Sequence, residues 1–133
     1  MSSIFTKIIK GEIPCYKVAE TAEFLAFLDI RPLTKGHTLV IPKQEVDYIF
    51  DLDSASFANL HVFSKQVAEA IKKAIPCVRV GVCVMGLEVP HAHIHLIPFN
   101  TMEEMNFANP KHNLEPSEMN HIAEIIAVQM KAV

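Results

Sequence analysis

No stretch of this chain comes near the roughly 18 consecutive apolar residues that a membrane-crossing helix needs, which excludes a helical membrane span. The opening Met1-Ser2-Ser3-Ile4-Phe5-Thr6-Lys7 lacks the basic stretch followed by an apolar one that marks a secretory signal. A basic surplus is also missing. Twelve Lys and Arg stand against 15 Asp and Glu, a net charge of −3, which speaks against binding nucleic acid through a basic surface. The one basic pair, Lys72-Lys73, reads as a solvated helix end, where cations suit the C-terminal turn. Cysteine is scarce: Cys15, Cys77 and Cys83, an odd number with no Cys-x-x-Cys. Two of them read as buried in strands, and none is marked as a nucleophile. A reduced, cytoplasmic setting is expected. There is no internal repeat, linker or low-complexity segment.

Hydrophobic residues make up 50% of the 133, enough for one domain with a packed core, so a single domain over residues 1–133 is expected. Ile4, Phe5, Ile8 and Ile9 recur at helical spacing until Gly11 stops them. Tyr16 to Glu20, Phe24 to Leu28 and His37 to Ile41 read as strands, the last ended by Pro42. A long helix follows from an Asp53 or Ser54 cap, with Phe57, Leu60, Val67 and Ile71 on its apolar stripe and Pro76 beyond its end. Arg79 to Met85 and His91 to Ile97 read as two more strands. Phe99 to Leu114 shows no period, and Pro116 opens a last helix. The short connections at Thr21–Glu23 and Gly86–Pro90 suit antiparallel neighbours. The expected class is α+β: a mostly antiparallel sheet with a long central helix and a C-terminal helix on one face.

Against that background, His91-Ala92-His93-Ile94-His95 stands out. With 7 His in 133 residues, about 0.02 such alternating triples are expected by chance. On a strand the three imidazoles share one face, while Ala92, Ile94 and Leu96 share the other and can enter the core. Three readings compete: satisfied structural histidines, a metal site, and catalysis on a phosphate. His61, His112 and His121 take the first reading, each being isolated. For the triple, metal binding is limited by reach. Alternate strand residues lie about 6.6 Å apart and His91 and His95 about 13 Å apart, so two imidazoles could share an ion but three could not without a sharp bend. A neutral imidazole can attack phosphorus directly, and its neighbours can orient it, bind phosphoryl oxygens and handle a leaving-group proton. Backbone N–H groups of the turn Gly86 to Val89 can point at the anion.

The run His91-x-His93-x-His95-Leu96-Ile97 resembles the signature of the histidine-triad (HIT) family, His-φ-His-φ-His-φ-φ with φ apolar. Ile4-Phe5-x-Lys7-Ile8-Ile9-x-Gly11-Glu12-Ile13-Pro14, Phe27-Leu28-Asp29-Ile30-x-Pro32 and Gly36-His37-Thr38-Leu39-Val40-Ile41-Pro42-Lys43 are similar to its other blocks, in family order. The likeness covers about residues 4 to 98, leaving 99 to 133 as a C-terminal extension. It implies a HIT-like meander, a homodimer, and hydrolysis or transfer at the α-phosphorus of a purine nucleotide, without a cofactor. By the same likeness His93 is the nucleophile, and His91 and His95 position it and meet phosphate or leaving group. His37 is the fourth histidine, and Asp29 accepts from ribose hydroxyls. Phe5, Ile8, Phe27 and Ile30 line the base pocket, and Gly86, Glu88 and Val89 border the phosphate. The expected activity is hydrolysis of purine nucleoside 5′-phosphoramidates through a nucleotidyl-histidine. Dinucleoside polyphosphate hydrolysis and a catalytically weak nucleotide-binding module are the alternatives.

The chain also departs from the family pattern. Val80 to Met85 holds no Asn, the turn before the triad is short, Leu87 replaces a Gln, and Glu88 stands where a hydroxyl is usual. A carboxylate there repels an anion unless it is protonated, paired with a cation or met by a cationic leaving group. Some family branches hold zinc through Cys-x-x-Cys near the start. The matching residues here are Ser3 and Thr6, so no metal is expected.

Overall fold

The computed structural model describes residues 2–130. Helix α1 (Ile4–Ile9) starts at Ser3, whose hydroxyl accepts from the Thr6 N–H. Gly11, at φ 80°, then turns the chain away in a conformation that glycine adopts without strain. Strands β1 (Lys17–Glu20), β2 (Phe24–Leu28) and β3 (Thr38–Pro42) form an antiparallel meander. Helix α2 (Ser54–Ala74) is capped by the Asp53 carboxylate on the Ser56 N–H, and it carries Lys72 and Lys73 in its last turn. Strands β4 (Arg79–Cys83) and β5 (Ile94–Phe99) follow, then a short 3₁₀ turn at Met102–Met105 and helix α3 (Pro116–Met130). The five strands are ordered β1-β2-β3-β5-β4, with every neighbouring pair antiparallel. This is the expected α+β arrangement, with α2 and α3 packed against each other and on one face of the sheet.

Alternation divides the sheet cleanly. Phe24, Ala26 and Leu28, Val40, and Ala92, Ile94 and Leu96 face the helices and join Leu60, Phe63, Val67, Ile71, Ile122 and Ile126 in the main core. Leu25 and Phe27, with Leu39 and Ile41, face the other way and pack with Phe5 of α1. The register sets Leu39 opposite both Phe27 and His95, and His95 opposite Cys83, so one row of side chains crosses four strands. That row carries the imidazoles to the face that α1 only partly covers.

Some boundaries differ from the sequence reading. The triad strand begins at Ile94 rather than His91. Before it, the Ala92 N–H bonds the Val46 carbonyl instead of a strand neighbour, although the in-and-out alternation continues through His91. Pro42 closes β3 instead of stopping the chain short of it. The cysteines are all free and half-buried, and only Cys83 lies on a strand; Cys15 and Cys77 sit in connections. The two buried strand cysteines expected from composition are therefore not found.

Candidate active site

A cavity of about 570 Å³ opens on the face that α1 partly covers. Phe5 and Ile8 of α1, Phe27 of β2, and Asp29 and Ile30 just after β2 form one side. His37, His93 and His95 line it as well, with Gly86, Glu88 and Val89 of the turn before β5, and Val89 packs against the Phe5 and Phe27 cluster. The structure thus gathers these sequence-selected residues around one hollow. His91 is the exception. It is fully buried behind the cavity, with its ring edge near Phe5.

The hydrogen bonds fix the tautomers. A carbonyl can only accept, so a ring nitrogen facing one must carry the proton. His91 Nε2 lies 2.7 Å from the Pro42 carbonyl and donates to it. Its Nδ1 is then an acceptor, 2.8 Å from the Ser3 hydroxyl. His93 Nδ1 donates to the His91 carbonyl at 2.8 Å. That leaves His93 Nε2 with its lone pair exposed to the cavity. His37 accepts from the Leu33 N–H through Nδ1 at 3.0 Å. Its Nε2–H therefore donates to His95 Nδ1 at 2.9 Å, and His95 keeps its own proton on Nε2. One imidazole offers a lone pair and its neighbour offers an N–H, with ring centroids 4.9 Å apart.

Burial disfavours the charged form of His37, His95 and His91. Desolvation, together with the neighbouring imidazoles and Lys111, pulls His37 down to about pKa 3. Desolvation and then the neighbouring His93 imidazole take His95 to about 4. Desolvation also lowers His91, against the pull of the Pro42 carbonyl. Asp29 moves the other way, raised chiefly by its own burial. The 3.7 Å approach of Asp29 Oδ2 to His37 Nε2 is accordingly not an ion pair, because His37 is uncharged.

Asp29, His37 and His95 come close enough for one ligand atom of each to reach a shared ion. However, His37 Nε2 and His95 Nδ1 already bond each other, so an ion there would have to break the link that orients His95. At the other candidate, Ser3 and Thr6, the donors are hydroxyls. Glu45 Oε1 accepts from the Ser3 N–H and the Thr6 hydroxyl, each at 2.6 Å, and these bonds draw its carboxyl down to about pKa 2. The Ser3 hydroxyl in turn serves His91. Serine and threonine hydroxyls are poor zinc ligands beside thiolate and imidazole, and these are already taken up in a closed network, so the residues do not fit zinc.

Two features escaped the sequence reading. Phe107 and Lys111 also line the cavity, brought there by the segment after β5 that has no periodic signal. A second hollow, of about 400 Å³, lies beside Met85–Leu87 and also touches His93. Its wall is an aromatic ledge in which Phe57 packs against Phe50 and His61. His61, expected to stand isolated, belongs to that ledge instead, with Nδ1 bonded to the Phe57 carbonyl.

Residues 10–102 match the HIT domain family. The chain belongs to the HIT family. It is 38% identical over 133 residues to the adenosine 5′-monophosphoramidase hnt1 of Schizosaccharomyces pombe, covering 98% of this chain and 100% of that one. A hypothetical histidine triad nucleotide-binding protein of Sulfolobus tokodaii superposes with a TM-score of 0.83 at 28% identity, covering 96% and 91% of the two chains. A zinc-bound histidine triad family protein of Mycobacterium smegmatis gives the same TM-score at 25% identity, over 99% and 95%. Among the described residues, no helix is long and apolar enough to cross a membrane.

Proposed function

We propose that this HIT protein hydrolyses purine nucleoside 5′-phosphoramidates, or related adenylated amines, through a covalent nucleotide on His93. The observation that carries this is the tautomer of His93: its Nδ1–H is held by the His91 carbonyl, so Nε2 meets the cavity as a lone pair. Nε2 attacks the α-phosphorus, an N–P bond forms and the bond to the departing amine breaks. The charge left on the imidazole is shared with the His91 carbonyl through Nδ1–H. His95 Nε2–H donates to a phosphoryl oxygen as charge grows there. The chain behind it ends on the Leu33 amide, which has no proton to release, so the amine takes its proton from solvent. Water then attacks phosphorus, the N–P bond breaks, Nε2 recovers its lone pair, and the water's remaining proton leaves to solvent.

The apolar side of the cavity, with Phe5 and Phe27 edge to face at 5.6 Å, suits a purine, and Asp29 suits ribose hydroxyls. The 38% identity to a named monophosphoramidase favours an amine leaving group over a second nucleotide. The test is turnover of adenosine 5′-phosphoramidate. His93→Ala is expected to lose at least about a thousandfold in kcat, and equal turnover by both proteins would remove the nucleophile. A side-by-side assay on diadenosine polyphosphates separates the alternative hydrolase.

Glu88 supports a second reading, a nucleotide-binding module with little turnover, because its carboxylate borders the anion's place. Tight AMP binding without hydrolysis of either substrate would select that reading. We further propose a homodimer. Val82 and Val78 on and beside the edge strand β4, with Val62 of α2, are about 60% exposed and leave an apolar edge that suits a second copy. Sedimentation at the mass of one chain would overturn it. Three free, half-buried thiols suit a reducing, cytoplasmic setting.

A further inference from the structure

The segment between β5 and α3 folds back over the cavity. The Phe107 ring stands edge-on to His95, with centroids 5.1 Å apart, and to His37 at 6.3 Å. Beyond it, the His112 N–H bonds the Pro32 carbonyl at 2.9 Å and ties the segment to the loop between β2 and β3. Between these anchors, Lys111 is half-buried, and its Nζ donates to the carbonyls of Phe107 and Asn109. An ammonium group has three N–H donors. Two are taken, and among the described residues the third has no protein acceptor.

The charges around the cavity define what that third donor faces. Asp29 and Glu88 bring carboxylates, and Arg31 and Lys111 bring cations. The rings of His37 and His95 are neutral at ordinary pH. Arg31 is exposed and makes no side-chain bond among the described residues, so Lys111 is the cation held in place. A phosphoryl group set beside two carboxylates needs a fixed opposite charge, and a tethered ammonium has already lost much of the side-chain freedom that binding would otherwise cost.

We propose that Lys111 is a substrate-binding cation whose remaining N–H meets an anionic oxygen of the nucleotide's phosphoryl group, offsetting Glu88 and Asp29. This rests on the nucleotide reading above. Phe107 helps by fixing the loop that carries it.

The test is calorimetric binding of AMP and of adenosine to the full chain and to three variants. Lys111→Met and Lys111→Gln remove the charge, the second keeping a donor for the Phe107 carbonyl. Lys111→Arg keeps the charge. Loss of one charge-assisted bond at a half-buried position is expected to weaken AMP roughly tenfold in the Met and Gln variants. Adenosine affinity should stay within about twofold, and arginine should restore most of the AMP affinity. Added salt should weaken AMP more in the wild type than in Lys111→Met. AMP affinity unchanged in both uncharged variants overturns the inference. So does an equal loss for AMP and adenosine, which would make Lys111 a loop tether only. A wild-type chain that binds neither ligand overturns the nucleotide reading and this inference with it.

Discussion

The two faces of the sheet are made from the same strands and do opposite things. Toward α2 and α3, residues 24, 26, 28, 40, 92, 94 and 96 are all apolar and close-packed. Toward α1, positions one residue along bring His37, His93 and His95 beside Leu39 and Phe27. Both faces are largely buried, but only the second buries polar rings, each of which must find partners or lose stability. Among the described residues no buried side-chain nitrogen or oxygen lacks one. The difference teaches where precision comes from. The helix face supplies the free energy that holds the strands in register. The α1 face uses that rigidity to fix the proton on one nitrogen of each ring.

The sharpest way to break the comparison is to damage the helix face alone. Ile94 is fully buried, and its neighbours His93 and His95 point the other way. Ile94→Ala is expected to cost about 2–5 kcal/mol in urea unfolding, from lost burial plus the cavity left behind. Protein that remains folded should keep its KM for adenosine phosphoramidate. A loss below about 1 kcal/mol would mean that the helix face does not hold the register.

Much of this division was legible in the sequence, because alternation is a local signal. Period-2 apolarity around Ile94 and Leu96, helical spacing from Phe57 to Ile71, and caps at Ser3 and Asp53 all act between near neighbours. The three imidazoles on one face followed from the same rule. Their inequality did not. That His91 faces Pro42 and Ser3, while His93 faces the cavity, depends on contacts 49 and 88 residues away along the chain. Phe107 and Lys111 were illegible for a related reason. Their segment has no period, and its place is fixed by long-range anchors such as the His112 bond to Pro32.

Acid should separate the faces, since only one of them holds titratable rings. His37 and His95 have native pKa values of about 3 and 4, far below the ordinary 6.5 of the unfolded chain. Between those values the unfolded state binds protons that the native state refuses. Stability is therefore full above about pH 6.5 and is lost as pH falls toward the native values. Each ring held neutral should contribute a loss of about 2 kcal/mol between pH 7 and pH 5. Asp29 acts oppositely, because its raised pKa lets the native state bind a proton first; its contribution is confined to the carboxylate range and just above it. Unfolding midpoints measured at several pH values check the sign. Ile94→Ala should lower the whole curve without changing its slope, whereas a flat curve from pH 7 to pH 5 would contradict the neutral assignment.

The smallest expected effect tests whether the two faces meet through His91. Its backbone carbonyl orients His93, while its own ring is held by Pro42 on one side and Ser3 on the other. Ser3→Ala removes the α1 cap and leaves His91 Nδ1 with only the more distant Thr6 hydroxyl, 3.5 Å away, for an expected cost of about 1–2 kcal/mol. The Pro42 bond survives, so the His91 tautomer should survive as well, and His93 should keep its lone pair on Nε2. Turnover should then fall only a few-fold, far less than with His93→Ala, and nitrogen chemical shifts of the His93 ring should be unchanged. If Ser3→Ala instead moved the His93 proton to Nε2, the carbonyl of His91 would not be what sets the nucleophile. The site would then depend on α1 and not on the strand that carries the histidines.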